Sequence, residues 1–454
     1  MNTISKKITI LITTVIFVLF FITSCHKVTE ELASSDKYRL VWNDDPTTTV
    51  NIAWDQIEGE NPVVLYDTND FGRKDWKYTY TQTPNTINEK YGMHTHFAKL
   101  SNLEADQNYY FLIKDSKGVS ERYWFKTAPD KPKPFTFIAG GDTKSTGSAL
   151  EAGRASNRIA AKLRPLFILF SGDFNSGDGT NPEYWQQWLT DWHSLTTTSD
   201  GQMIPIIPVH GNHENGFQAN LPYIFNAPFQ NNDSINTYYS LSLGGDLMHI
   251  IALNSEIEEG GLQKEWLEND LKNHQEFTFK LASYHKPFWP HTSNKREQEY
   301  QYNQWAGLFY KYGLDLSFDA DSHMSKITYP LRPDSSENSF MGFIRDDETG
   351  TMFLGEGSWG AHPRPNDDDK PWTYTSGSFN GFKWGHVFPG GDDDQPHVNI
   401  YTVISVDYYD GDDIILYDSI VEELTEDNCF DIPKNLKIQK FPNGKDYVTY
   451  PFKP

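Results

Sequence analysis

The 454-residue chain is poor in cysteine and in basic residues. It has two cysteines, Cys25 and Cys429, and 39 Lys and Arg against 62 Asp and Glu, giving a formal charge of −23. A nucleic-acid binder needs a basic footprint, so no nucleic acid is expected as a partner. The same charge repels anionic substrates unless bound cations reverse the field locally. Two cysteines permit at most one disulfide, so packing must hold the fold. Helix-length amphipathic patterns are missing from residues 38–128. What the chain does have is apolar mass, 37% hydrophobic and 15% aromatic residues. It is too long for one ordinary core, so two or more domains are expected.

At the N-terminus, Lys6 and Lys7 precede the apolar run ITILITTVIFVLFFI, and ITSC follows, ending on Cys25. The run is short for a bilayer span, although an anchoring helix with an incidental cysteine is the alternative. The stretch resembles a bacterial lipoprotein signal, with Ile22 where leucine is more usual. That resemblance implies a signal peptide over residues 1–24, Cys25 as the lipidated first residue, and a lipid anchor in the bacterial cell envelope. The outer membrane is the expected host, with the protein facing the periplasm or the surface. Several acyl chains on one cysteine anchor firmly where a single chain is marginal. Losing Lys6 and Lys7 would take the charge from −23 to −25. A lipidated Cys25 would leave Cys429 without a disulfide partner.

Residues 38–128 read as strands. TTTVNIAW alternates toward Trp54, MHTHFAKL alternates around Phe97, and YYFLIK and RYWFKT are aromatic strand candidates. Turn-like IEGENP and DSKG lie between them, which suggests a sandwich of about seven strands. The Pro- and Lys-rich APDKPKP, residues 128–134, marks a boundary. Beyond it, apolar strands such as PLFILFSGD and MIPIIPVHGNHE alternate with the helical patterns SALEAGRASNRIAAKL, PEYWQQWLTDWHSL, LQKEWLENDLKN and YNQWAGLFYKY. Near-continuous apolar strands separated by helices indicate sheets covered on both faces, an α/β domain over residues 134–420. The acidic NDDDKP and GGDDDQP read as solvated loops, with calcium sites as the alternative. Residues 398–420 suggest a closing hairpin, and residues 421–454 a polar, irregular tail.

The apolar strands end on chemistry. One ends at Asp142, another at Asp173, a third at Asn212 and His213, a fourth at His285, and a fifth at Asp321 and His323. A lone buried histidine is usually a satisfied core residue. Five strands that each end on Asp, Asn or His are not explained that way. In open α/β folds the site lies outside the carboxyl ends of the strands.

The order Asp142, Gly172-Asp173, Gly211-Asn212-His213-Glu214, His285 and Asp321-Ser322-His323 resembles the calcineurin-like metallophosphoesterases. Within them it is most similar to the purple acid phosphatases. The resemblance spans roughly residues 38–420. It implies a fibronectin type III-like sandwich over 38–128 and a four-layer αββα metallophosphoesterase domain over 134–420. It also implies two divalent metal ions, with Mn, Zn, Fe or Mg as candidates. Asp173 would bridge the ions, Asp142 and His323 would serve the first, and Asn212, His285 and Asp321 the second. Such a pair acidifies a bound water and clamps both oxygens of an in-line displacement. By the same resemblance, His213 is the catalytic residue that faces the phosphoryl group. Glu214 would orient it, and His291 is a candidate substrate contact.

Three positions depart from the family pattern. Ala320-Asp321-Ser322-His323 stands where Gly-His-x-His is usual, so an anionic oxygen replaces an imidazole. Ser176 stands where the purple enzymes carry a tyrosine ligand. Lys144 stands where broader members carry histidine. Lys144 is either a solvated loop lysine or a fixed cation in the site that binds phosphate or compensates for weak occupancy of the first metal. The implied activity is hydrolysis of phosphate monoesters on a phosphorylated small molecule or glycan. Phosphodiester hydrolysis, or phosphate or glycan binding without catalysis, is the alternative.

Overall fold

The computed structural model describes residues 32–215, 219–391, 394–410 and 413–450. Residues 1–24 and Cys25 lie outside them. Among the described residues no helix is long and apolar enough to cross a membrane.

The N-terminal domain is a sandwich of eight strands rather than about seven. Ser35–Val41, Val50–Gln56, Met93–Leu100 and Thr86–Lys90 form one antiparallel sheet. Tyr80–Gln82, Val63–Asp67, Asn108–Lys114 and Tyr123–Lys126 form the other. Alternation does what the sequence suggests. Ile52, Trp54, Ala98 and Leu100 share a buried core with Val64, Phe111, Ile113 and Phe125. The sandwich is not separate from the second domain, because Val41 pairs in parallel with Ile206 and joins its first sheet to a sheet of that domain. This pairing closes two edges that would otherwise be open.

The second domain has four layers. Phe135–Gly140, Phe167–Phe170 and Ile206–Pro208 run parallel in one sheet, flanked by the antiparallel Asn380–Phe388 and His397–Asp410. Met248–Ala252, Phe279–Ser283, Leu316–Phe318 and Met352–Gly355 run parallel in the other. Successive side chains point to opposite faces. Ile250 and Leu281 join Phe137 and Leu169 in the main core, whereas Ile251 and Ala282 join a second core with Leu267, Leu271, Trp305 and Phe309. Those last four lie on the helices Gly261–Asn273 and Glu299–Lys311. On the opposite side, Ala152 and Ala155 of helix Gly147–Leu163 pack on Val406. Helix Pro182–Thr196 starts as the sequence directs, with Pro182 first and the Asn181 side chain accepting from the Glu183 and Tyr184 amides.

Residues 421–450 depart from the expectation of an irregular tail. Lys437–Ile438 and Tyr447–Tyr450 pair antiparallel with His397–Asp410, and Val421, Leu424, Phe441 and Val448 are buried. Two strands of two and four residues are too short to show a period in sequence.

Candidate metal centre

The strands of both sheets deliver their terminal residues to one edge. Asp142, Asp173 and Asn212 follow Phe135–Gly140, Phe167–Phe170 and Ile206–Pro208. His285 follows Phe279–Ser283, and Asp321 and His323 follow Leu316–Phe318. Four of these residues turn through left-handed backbone: Asp142 at φ 67°, Asp173 at 56°, Asp321 at 65° and His323 at 55°. Each such turn costs on the order of 1–3 kcal/mol and persists only where the surroundings fix it. The loops touch because glycine precedes the ligands. A Cβ on Gly172, itself at φ 93°, would lie 2.6 Å from the Gly211 nitrogen, and one on Gly211 would lie 2.4 Å from the Asp173 nitrogen.

Two groups of side chains meet at Asp173. In the first, ligand atoms of Asp142, Asp173 and His323 lie within 4.8 Å of one another. His323 Nε2 is 3.3 Å from Asp142 Oδ1, a buried oxygen without a hydrogen bond of its own, while Asp142 Oδ2 accepts from the Asp321 amide at 2.8 Å. In the second, His285 Nε2 faces Asn212 Oδ1 at 3.1 Å, Asp173 Oδ1 at 3.2 Å and Asp321 Oδ1 at 3.6 Å. His285 Nδ1 donates to the Ser171 carbonyl at 2.8 Å, which turns Nε2 toward the three oxygens.

The electrostatics follow from this crowding. Burial alone would raise the Asp142 carboxyl, but His323, His285 and Lys144 hold it well below the usual carboxylate range. Burial likewise opposes ionisation of Asp321, yet His285 and Lys295 depress its carboxyl. Burial would lower His285, and the charges of Asp173, Asp142 and Asp321 raise it well above an ordinary imidazole. His323 is lowered, chiefly by burial.

The other predicted residues fall in different places. The ring of His213 is partly exposed; its Nδ1–H donates to the Gly177 carbonyl, and Nε2 lies 3.5 Å from Asp173 Oδ2. Lys144 reaches in, with Nζ 3.4 Å from Asp173 Oδ2. Glu214 does not orient the His213 ring. Its buried carboxylate accepts from the amides of Gly211, Asp173 and Phe174 at 2.8, 2.8 and 2.9 Å, clamping the two loops together. Burial and the nearby Asp173 charge push that carboxyl up to about 8, against the pull of the amides. His291 is not placed to meet a substrate. It is fully buried, with Nδ1 2.9 Å from Glu356 Oε1 and Nε2 2.7 Å from Thr373 Oγ1. Ser176 Oγ accepts from the Ser145 amide at 3.0 Å, and Ser145 Oγ accepts from the Ser176 amide at 2.9 Å.

Sequence reasoning missed two cations. Lys295 Nζ contacts Asp321 Oδ1, and Arg364 Nη1 donates to the Asp321 carbonyl at 2.7 Å. Neither belongs to a motif, and only the path of their loops brings them here. A further set, His249, Asp270 and His274, lies away from the site, at the start of the strand Met248–Ala252. Its two rings stack at 3.8 Å, and Ser242 and Ser240 bond to His249 and Asp270.

The donor sets suit divalent ions. One carboxylate is shared, one group adds carboxylate and imidazole, and the other adds amide oxygen, imidazole and carboxylate, all within hard-to-borderline chemistry.

Comparison with known proteins agrees with this geometry. Residues 35–127 match the model "Purple acid Phosphatase, N-terminal domain", and residues 135–325 match "Calcineurin-like phosphoesterase". The chain is 31% identical over 151 residues to purple acid phosphatase 15 of Arabidopsis thaliana, covering 31% of this chain and 27% of the relative. It is 23% identical over 312 residues to probable purple acid phosphatase 20 of the same plant, covering 64% of this chain and 66% of the relative. The chain thus spans between about a quarter and just under two thirds of these relatives. A purple acid phosphatase from yellow lupin (Lupinus luteus) seeds shares the fold with a TM-score of 0.67 at 14% identity, over 82% of this chain and 72% of that one. A structure of PhoD does so at 0.56 and 11%, over 85% and 90%. Residues 35–127 are thus similar to the N-terminal domain of purple acid phosphatases, and residues 135–325 to the calcineurin-like phosphoesterases.

Proposed function

We propose that the protein is a metal-dependent phosphoesterase that hydrolyses phosphate monoesters of a small molecule or glycan. The observation that carries this reading is the meeting of two ligand groups on one carboxylate, Asp173. Asp142, Asp173 and His323 would hold one divalent ion, and Asp173, Asn212, His285 and Asp321 the other. Mn, Zn, Fe and Mg all suit these donors. When bound, such ions polarise phosphoryl oxygens and acidify a water.

The chain's own groups supply the rest. Ser171 fixes the His285 tautomer and Glu214 ties the Asp173 loop to the Asn212 loop. His213 is held by Gly177 with Nε2 on the Asp173 side, where it can meet the phosphoryl group and give a proton to the leaving oxygen. Lys144, Lys295 and Arg364 offset the anionic ligands, so a dianionic ester can approach a chain of net charge −23. Monoesters are favoured by likeness to proteins named purple acid phosphatases. Ser176 offers no phenolate ligand, so the protein should lack the colour of a ferric–tyrosinate centre.

The test is hydrolysis of p-nitrophenyl phosphate and of its bis ester by metal-stripped protein resupplied with each ion. Restored monoester turnover supports the reading. Turnover of the bis ester alone would make it a diesterase, and phosphate binding without turnover would make it a binding protein. The N-terminal sequence supports lipidation at Cys25 and an envelope location. A Cys25→Ala chain appearing in the soluble fraction would support this, and one that stays in the membrane would oppose it.

A further inference from the structure

The group Asp142, Asp173 and His323 is almost closed to solvent, with exposures of 0%, 1% and 7%. Two carboxylates taken out of water need compensating positive charge. The chain brings one of its own. Lys144 follows Asp142 by two residues, its side chain is 17% exposed, and its Nζ lies 3.4 Å from Asp173 Oδ2. It stands on the side of the carboxylate that it shares with the His213 ring, whose Nε2 is 3.5 Å from Oδ2, because Asp173 Oδ1 is already engaged by the His213 amide at 2.9 Å and faces His285. A lysine ammonium is a compact point charge on a flexible stem, so it can occupy such a position and also leave it.

Resting on the metal-dependent reading, we propose that Lys144 is a resident cation of this group. A divalent ion and the lysine compete for Asp173 Oδ2, and the displaced ammonium turns to the anionic oxygens of the substrate phosphoryl group. The second group differs. Its buried imidazole, His285, faces three oxygens directly, and its lysine, Lys295, contacts Asp321 Oδ1, an oxygen outside the first group. Competition from Lys144 therefore weakens the first ion and leaves the second nearly untouched. Substrate affinity becomes linked to metal loading through one side chain.

The experiment is calorimetric titration of metal-stripped protein with Mn²⁺ or Zn²⁺, with metal content measured in parallel, for wild type, Lys144→Met and Lys144→Arg. Inorganic phosphate is then titrated into each loaded protein. Wild type should show one tighter and one weaker site. In Lys144→Met the weaker site should tighten by about 10- to 100-fold, the equivalent of one charged hydrogen bond lost by the competitor. Phosphate affinity of the loaded variant should fall by about tenfold, the equilibrium equivalent of one modest ionic contact. Lys144→Arg keeps the charge and should keep the weak site. An unchanged or weaker first site in Lys144→Met, with the second site intact, overturns the lysine proposal alone. A wild type that binds divalent ions at neither site overturns the metal-dependent reading and this proposal with it.

Discussion

The two ligand groups share Asp173 yet are built differently. The first has two buried carboxylates and one imidazole, with Lys144 beside them. The second gathers oxygens of Asn212, Asp173 and Asp321 around His285 Nε2, and its imidazole is locked from behind by the Ser171 carbonyl. Each group has a lysine beside a carboxylate, Lys144 at Asp173 and Lys295 at Asp321, but the first is short of donors whereas the second is preorganised around a ligand atom. A site whose ligands are held in place by outer partners binds its ion more firmly. The protein should therefore behave as one secure site and one conditional site, an inequality that single substitutions can break or sharpen.

The largest effect should come from the residue the groups share. Asp173→Asn removes charge from both, and divalent-ion affinity should fall by more than about 100-fold, beyond the loss typical of an outer partner. Metal analysis after dialysis checks this, and two retained ions would contradict the bridging role. His213→Ala should leave both ions in place while slowing esters with basic leaving groups by about 10²–10⁴-fold. Equal rates for activated and unactivated esters in wild type and variant would remove its role as an acid. Glu214→Gln acts on the frame rather than on either ion. Losing a carboxylate that accepts three amides should cost about 1–3 kcal/mol of stability, read by denaturant unfolding.

The pH dependence has a sign for each group. His285 has its pKa raised from 6.5, so its contribution to stability is full below 6.5 and is lost as pH rises through the folded value. Asp142 and Asp321 are lowered from 3.8, so their contribution is present above 3.8 and is lost as pH falls through their folded values. Stabilisation by these charges is thus greatest between 3.8 and 6.5 before any ion is added. Ion uptake by the second group at pH near 6.5 should displace the His285 proton. Titrations in buffers of different protonation enthalpy should show that release, and identical heats in all buffers would contradict it.

What could be read from sequence was whatever is carried by period and by strand ends. The apolar strands, the four helices and the six candidate ligands appear where alternation and terminal polar residues suggested. What could not be read depends on partners far along the chain. Glu214 clamps amides 40 and 41 residues away, and nothing in GNHE distinguishes that from a contact with its neighbour His213. His291 is buried against Glu356 and Thr373, 65 and 82 residues on, so a loop histidine that looked available to substrate is satisfied inside the fold. Lys295 and Arg364 arrive through loops without a motif. The pairing of Val41 with Ile206 crosses a boundary that the Pro-rich linker made look complete.

The most direct test of the two-site centre is a metal titration of stripped wild-type protein followed on one sample by heat and by p-nitrophenyl phosphate turnover. Two binding events of unequal affinity, with turnover absent before the first ion is added and restored during the titration, are the predicted result. Full turnover in the stripped protein, or no binding of any divalent ion, would contradict it.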